Sequence, residues 1–122
     1  MSDTSEFFVD VVNSMPSGSE WHFHVPPVHK EFFGAIQGVS YESGDIFVKL
    51  VMKEEYRKKV AAISVNDVHE LIQEVRICWK GRKIFEAYDG FVIGTVSKFY
   101  DISGTALEKH LGQDILYISS DW

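Results

Sequence analysis

Residues 74–100 read EVRICWKGRKIFEAYDGFVIGTVSKFY. Val75, Ile77 and Trp79 alternate with Arg76, Cys78 and Lys80, which is the period of a strand with one buried face. Lys80-Gly81 supplies a first turn. Asp89-Gly90 supplies a second, because Asp and Gly both accept the positive φ of a type I′ turn. The segment predicts three antiparallel strands in a meander over 75–98, and that meander sets the fold class.

Toward the C-terminus, Ser103 is a candidate N-cap for a short helix. Leu107 and Leu111 share its face, His110 lies in its last turn and Gly112 follows it. Residues 115–118 (ILYI) form a closing strand. Upstream of the meander, Ser64 with Asp67 resembles a capping pair opening a helix over 65–73, whose apolar stripe is Val68, Leu71 and Ile72. Residues 53–61 are a charged segment of helical propensity, 45–52 a strand, and Tyr41-Glu42-Ser43-Gly44 a turn. Residues 30–37 suggest a short helix and 21–25 (WHFHV) a strand ended by Pro26-Pro27. Residues 5–14 form a helix with Phe7, Phe8, Val11 and Val12 at helical spacing and Asp3 or Thr4 as its cap. There is no repeat, low-complexity tract or linker. The expectation is one α+β domain over 1–122, a mainly antiparallel sheet with a C-terminal β-meander and short helices packed on it.

Composition agrees. A chain of 122 residues that is 45% hydrophobic and 14% aromatic can build one core without staples. No apolar run approaches the roughly 18 residues of a membrane span. The first residues, MSDTSE, are acidic where a signal peptide needs a basic n-region, so a cytoplasmic protein is expected, with no membrane partner. The lone Cys78 excludes an intramolecular disulfide and reads as a small buried hydrophobe. Net charge is −6, and the halves 1–61 and 62–122 each hold nine acids and six bases. A chain so balanced toward acid is not expected to bind nucleic acid, which demands a basic surface. It does suit a cationic macromolecule.

Catalytic signatures are missing. His22 and His24, two apart on a strand, point to one side and with His29 could approach a divalent cation. A zinc site needs more ligands than these, and no HExxH, CxxC or carboxylate cluster accompanies them. Surface imidazoles are the favoured reading, with no metal and no cofactor. Gly34-Ala35-Ile36-Gln37-Gly38 is not a phosphate loop, and nothing in the spacing of the carboxylates marks an acid/base pair. Several aromatics exceed what so small a core can hold and suit a contact surface. Trp122 is expected to fold back as a plug on the core in preference to projecting as an anchor.

Two segments, 84–97 (IFEAYDGFVIGTVS) and 112–122 (GQDILYISSDW), resemble the C-terminal halves of small bacterial immunity proteins, including those of contact-dependent growth inhibition systems. The shared pattern is an apolar strand, a Tyr-Asp-Gly turn, a second strand with Gly-Thr-Val-Ser, a short helix, and a closing strand with Ile-Ser and a final Trp. The resemblance covers the last third of the chain. It implies a cytoplasmic, non-enzymatic protein that binds and neutralises one cognate toxin domain, often a nuclease. Contact residues in such families differ from pair to pair, so none is carried over. The candidate toxin contacts are acidic and aromatic residues of the matching region and its surroundings: Glu86, Tyr88, Asp89, Asp101, Asp114, Asp121 and Trp122. The alternatives are a small α+β enzyme or metal-binding protein using His22, His24 and His29, and a regulatory interaction module without a toxin.

Overall fold

The computed structural model describes residues 3–26, 31, 33, 34, 36, 38–42, 47–66 and 68–122, without the side chain of Glu42. Its elements are α1 (Asp3–Ser14), β1 (Glu20–His24), β2 (Ser40–Glu42), β3 (Phe47–Val51), α2 (Glu54–Ala61), α3 (Val68–Leu71), β4 (Glu74–Trp79), β5 (Arg82–Tyr88), β6 (Ile93–Val96) and β7 (Leu116–Ile118). Short 3-10 turns occupy Ala62–Val65 and Glu108–His110. The seven strands form one sheet in the order β2-β3-β1-β4-β5-β6-β7. Every neighbouring pair is antiparallel except β6 and β7, which run parallel. The expected α+β class and the β4-β5-β6 meander are both present. Among the described residues no helix is long and apolar enough to cross a membrane.

Period-two alternation decides which sheet face is buried. Trp21 and Phe23 of β1, Val48 and Leu50 of β3, Val75 and Ile77 of β4, Phe85 and Ala87 of β5, Val96 of β6 and Leu116 of β7 are all buried. Against them lie Phe7, Phe8, Val11 and Val12 of α1, together with Val60, Ile63, Val68 and Leu71 from the segment 54–71. The intervening residues, Glu20, His22 and His24, Lys49, Arg76, Glu86 and Thr95, stand on the opposite face and remain at least partly exposed. Hydrophobic burial on one face and charge on the other is how an antiparallel sheet with helices on one side satisfies both.

Several expectations need correction. The β5–β6 connection is not a two-residue hairpin. Tyr88 pairs with Ile93, leaving a four-residue loop in which Asp89, Gly90 and Phe91 all have positive φ (55°, 70° and 69°). The extra length turns Phe91 into the core, where its ring lies 5.5 Å from Phe7 and 5.2 Å from Phe8. The Lys80-Gly81 turn does have two consecutive positive φ values, 53° and 75°. The helix expected over 65–73 shrinks to α3, because Asn66 is extended (φ −96°, ψ 175°) and severs it from the preceding 3-10 turn; Asp67 lies outside the described residues. Ser103 is not an N-cap: Gly104 has φ 79°, and only Glu108–His110 coil. Ser40–Glu42, read partly as a turn, is an edge strand paired to β3. Cys78 is half-buried rather than buried, since it stands opposite Glu20 and Lys83 on the open face. Most of the helix expected over 30–37, Ser43, Gly44 and His29 fall outside the described residues.

Trp122 folds back, though onto the rim of the open face rather than into the core. Its carbonyl accepts the Lys98 N–H at 2.9 Å, and the Lys83 ammonium sits 4.2 Å from its ring centre.

Candidate functional site

On β5, Phe85 and Ala87 turn inward, so Glu86 and Tyr88 project together from the open face. Glu86 is not a free acid there. Its carboxylate lies 2.9 Å from Lys83 Nζ and 3.9 Å from Arg76 Nη2, with its side chain only 14% exposed. The Tyr88 hydroxyl sits 3.2 Å from Thr95 Oγ1. Asp89 is exposed at the head of the β5–β6 loop. Asp114 is exposed at φ 59°, and its Oδ1 accepts from the Tyr117 hydroxyl at 3.4 Å. Asp101 and Asp121 are exposed as well. Asp101 Oδ1 accepts the Ser103 N–H at 2.9 Å, and hydrogen bonds from Ser103 hold its carboxyl below the usual carboxylate range.

Strand directions split this set. β5 ends where β6 begins, and β7 runs parallel to β6, so Asp89 and Asp114 share one end of the sheet. Asp101, Asp121 and Trp122 follow the far ends of β6 and β7 and lie at the opposite end. Acids gather around the first pair. Glu74 starts β4 at that end. The Gly90 N–H donates to the Gln73 carbonyl at 3.0 Å, which brings α3 and its Glu70 alongside. Asp3 and Glu6 of α1 line a cleft of about 300 Å³ with Lys109, His110, Gln113 and Ile115, beside Asp114, and Lys109 pairs there with Glu6. Tyr117, 46% exposed, adds an aromatic surface in the same row as Thr95. Charged carboxylates beside an exposed tyrosine are the ingredients of a surface for a cationic protein.

One pairing has no forecast in the sequence. Asp10 of α1 is buried, and its Oδ2 lies 2.7 Å from His110 Nε2 and 3.1 Å from Lys109 Nζ. Lys109 also reaches Glu6 Oε1 at 3.0 Å, and the two carboxylates raise its pKa. The His110 ring packs edge-on against Phe7 at 5.1 Å. The imidazole side chain is only 8% exposed, and its ring is wedged against the core. The arrangement ties the C-terminal segment to α1. The available signal was Asp10 itself, a carboxylate inside the apolar stripe of Phe7, Val11 and Val12.

His22 and His24 do share the open face. His22 Nε2 lies 3.5 Å from Glu20 Oε1, and His24 stacks on Phe47 at 5.2 Å. Lys49 Nζ lies 2.6 Å from the same Glu20 oxygen, and its hydrogen bond holds Glu20 below the usual carboxylate range. Among the described residues no group of three His, Cys, Asp or Glu side chains is arranged to hold a metal ion. In comparisons with known proteins, no family model, no curated protein and no solved structure matches this chain.

Proposed function

We propose that this chain is an immunity protein of the polymorphic-toxin kind. It binds one cognate toxin domain in the cytoplasm, most simply a basic nuclease, and blocks it by stoichiometric complex formation without catalysis. The observation that carries the reading is the acidic end of the sheet, where exposed Asp89 and Asp114 lie at one end of β5–β7 with Tyr117 beside Asp114. Glu70, Glu74 and Asp3 extend that acidic end, while Glu6, like Glu86, is paired with a lysine. A nuclease site shaped for phosphates attracts carboxylates, and complementary fields speed encounter and favour the right partner. Of the sequence candidates, Asp89, Asp114 and Tyr88 belong to this reading most directly. Glu86 contributes little charge because Lys83 and Arg76 neutralise it.

The test is co-expression with the product of the adjacent toxin gene, scoring growth rescue and co-purification. Rescue and a one-to-one complex are expected. Absence of such a gene, or no binding to its product at micromolar concentration, defeats the proposal.

A further inference from the structure

The end of the sheet opposite the acidic rim carries a different chemistry. The Lys80 ammonium sits 4.3 Å from the Trp79 ring centre, and the Arg82 guanidinium 4.9 Å from that of Phe99. The Lys98 ammonium reaches the same Phe99 ring at 5.2 Å and donates to the Ser120 carbonyl at 2.9 Å. Tyr100 meets Trp79 edge-on at 5.9 Å. Trp79, Lys80, Arg82, Ile84, Phe99 and Tyr100 line a cleft of about 270 Å³, with Lys98 outside the lining, against the Phe99 ring. Phe99 is 65% exposed.

Arg57, Arg76, Lys83 and Lys109 each have a carboxylate within 4.0 Å. Among the described residues, no carboxylate lies that close to Lys80, Arg82 or Lys98, nor to Lys53, Lys58 or Lys59 in the segment 53–59, but the first three gather at one end of the sheet. In a chain of net charge −6, three cations left uncompensated at one place and held over aromatic rings form a preorganised anion-binding surface. We infer that this cleft docks a short acidic peptide segment of a partner protein, its carboxylates taken by Lys80 and Arg82 in the lining and by Lys98 beside Phe99.

The choice of a peptide over a nucleic acid strand follows from charge and from the rings. The chain as a whole carries net charge −6, so a long regular run of phosphates meets a repelling field beyond the three cations. Base stacking needs open ring faces, whereas Trp79 and Phe99 already hold cations against theirs. Two or three carboxylates on a flexible chain need only the three cations. The inference stands apart from the toxin reading, because it concerns the other end of the molecule and a partner of opposite charge.

The experiment uses the full chain, isotopically labelled, titrated with a capped hexaglutamate peptide and followed by NMR. Shifts confined to the Trp79 indole N–H and the amides of Lys80, Arg82, Phe99 and Tyr100 are expected, with affinity falling as salt rises. Arg82→Gln and Lys98→Gln should each weaken binding roughly threefold, in line with exposed ion pairs, and Lys80→Gln/Arg82→Gln/Lys98→Gln should abolish it. All three positions are exposed, so folding is expected to survive, which an unchanged spectrum elsewhere verifies. Lys59→Gln, on α2, should change nothing. No shift at millimolar peptide, shifts located elsewhere, or binding that survives the triple variant overturns the inference. Tighter binding of a hexathymidylate strand than of hexaglutamate also overturns it, in favour of a nucleic acid site.

Discussion

Phe91 and Gly90 show how one loop serves two demands. A bulky residue at φ 69° carries a backbone cost on the order of 1–2 kcal/mol. Full burial of the Phe91 ring against Phe7 and Phe8 offsets it, at roughly 1.5–3 kcal/mol for the area and more for the tilted and edge-on ring pairs. Gly90 beside it has no such freedom to change. It has φ 70°, and a Cβ built there would collide with the imidazole and the carbonyl of His69. Gly81 has a similar φ of 75° with nothing within 4 Å of that position. Gly81→Ala should therefore cost only about 1 kcal/mol, the left-handed penalty alone. Gly90→Val should cost about 3 kcal/mol or more, since overpacking adds to strain. Chemical denaturation of the two variants checks the ranking; equal losses would mean that His69 yields freely. Glu20 gives the acid-side prediction. Its folded-state carboxyl lies below the ordinary 4.5, so its contribution is present above that pH and fades as pH falls through the folded value. Glu20→Gln should flatten the stability curve below pH 4.5, modestly and less so at high salt because the pair is partly exposed.

At the scale of elements, what was legible followed from local periodicity. The alternation in 21–25 and 74–88 places Trp21, Phe23, Val75 and Ile77 on one face with no tertiary information. Where distant groups decide, the sequence is silent. Asp89-Gly90 does adopt positive φ, but the loop is lengthened by the pull of α1 aromatics on Phe91. Glu86 reads as a free acid until Arg76 from the neighbouring strand and Lys83 close on it. Cys78 lands on the open face for the same reason that Ile77 is buried. The Asp10–His110 link joins residues a hundred positions apart, and no spacing rule reaches that far. Asp10→Ala should cost about 3 kcal/mol, since it strips a buried imidazole and Lys109 of their shared acceptor. A double-mutant cycle with His110→Ala should return a coupling of about 1–3 kcal/mol. Additive losses would show that the 2.7 Å contact holds nothing together.

Among the described residues the charges divide unevenly between the ends of the sheet: carboxylates around Asp89 and Asp114 at one, and Lys80, Arg82 and Lys98 over aromatic rings at the other, which also holds Asp101 and Asp121. The seven residues singled out in the sequence straddle both ends, which a linear reading had no means to see. This polarity makes the toxin proposal testable by position. If the acidic end meets a basic toxin, the association rate falls with rising ionic strength, while a neutral contact would barely respond. Asp89→Asn and Asp114→Asn are the informative substitutions, because both sites have positive φ, which Asn accepts nearly as well as Asp. Each removes charge with little strain, and each should slow association roughly 2–10-fold with little change in thermal stability. A carboxylate that becomes desolvated against Arg or Lys would instead raise the dissociation rate, with a loss of about 2–5 kcal/mol. Asp101→Asn, at the opposite end and with its carboxyl spent on Ser103, should leave both rates nearly unchanged. Stopped-flow kinetics with the cognate toxin domain reads all three. Equal slowing by Asp101→Asn would mean that net charge alone steers the encounter. Slowing by Asp101→Asn in place of the other two would move the contact to the far end of β6 and β7.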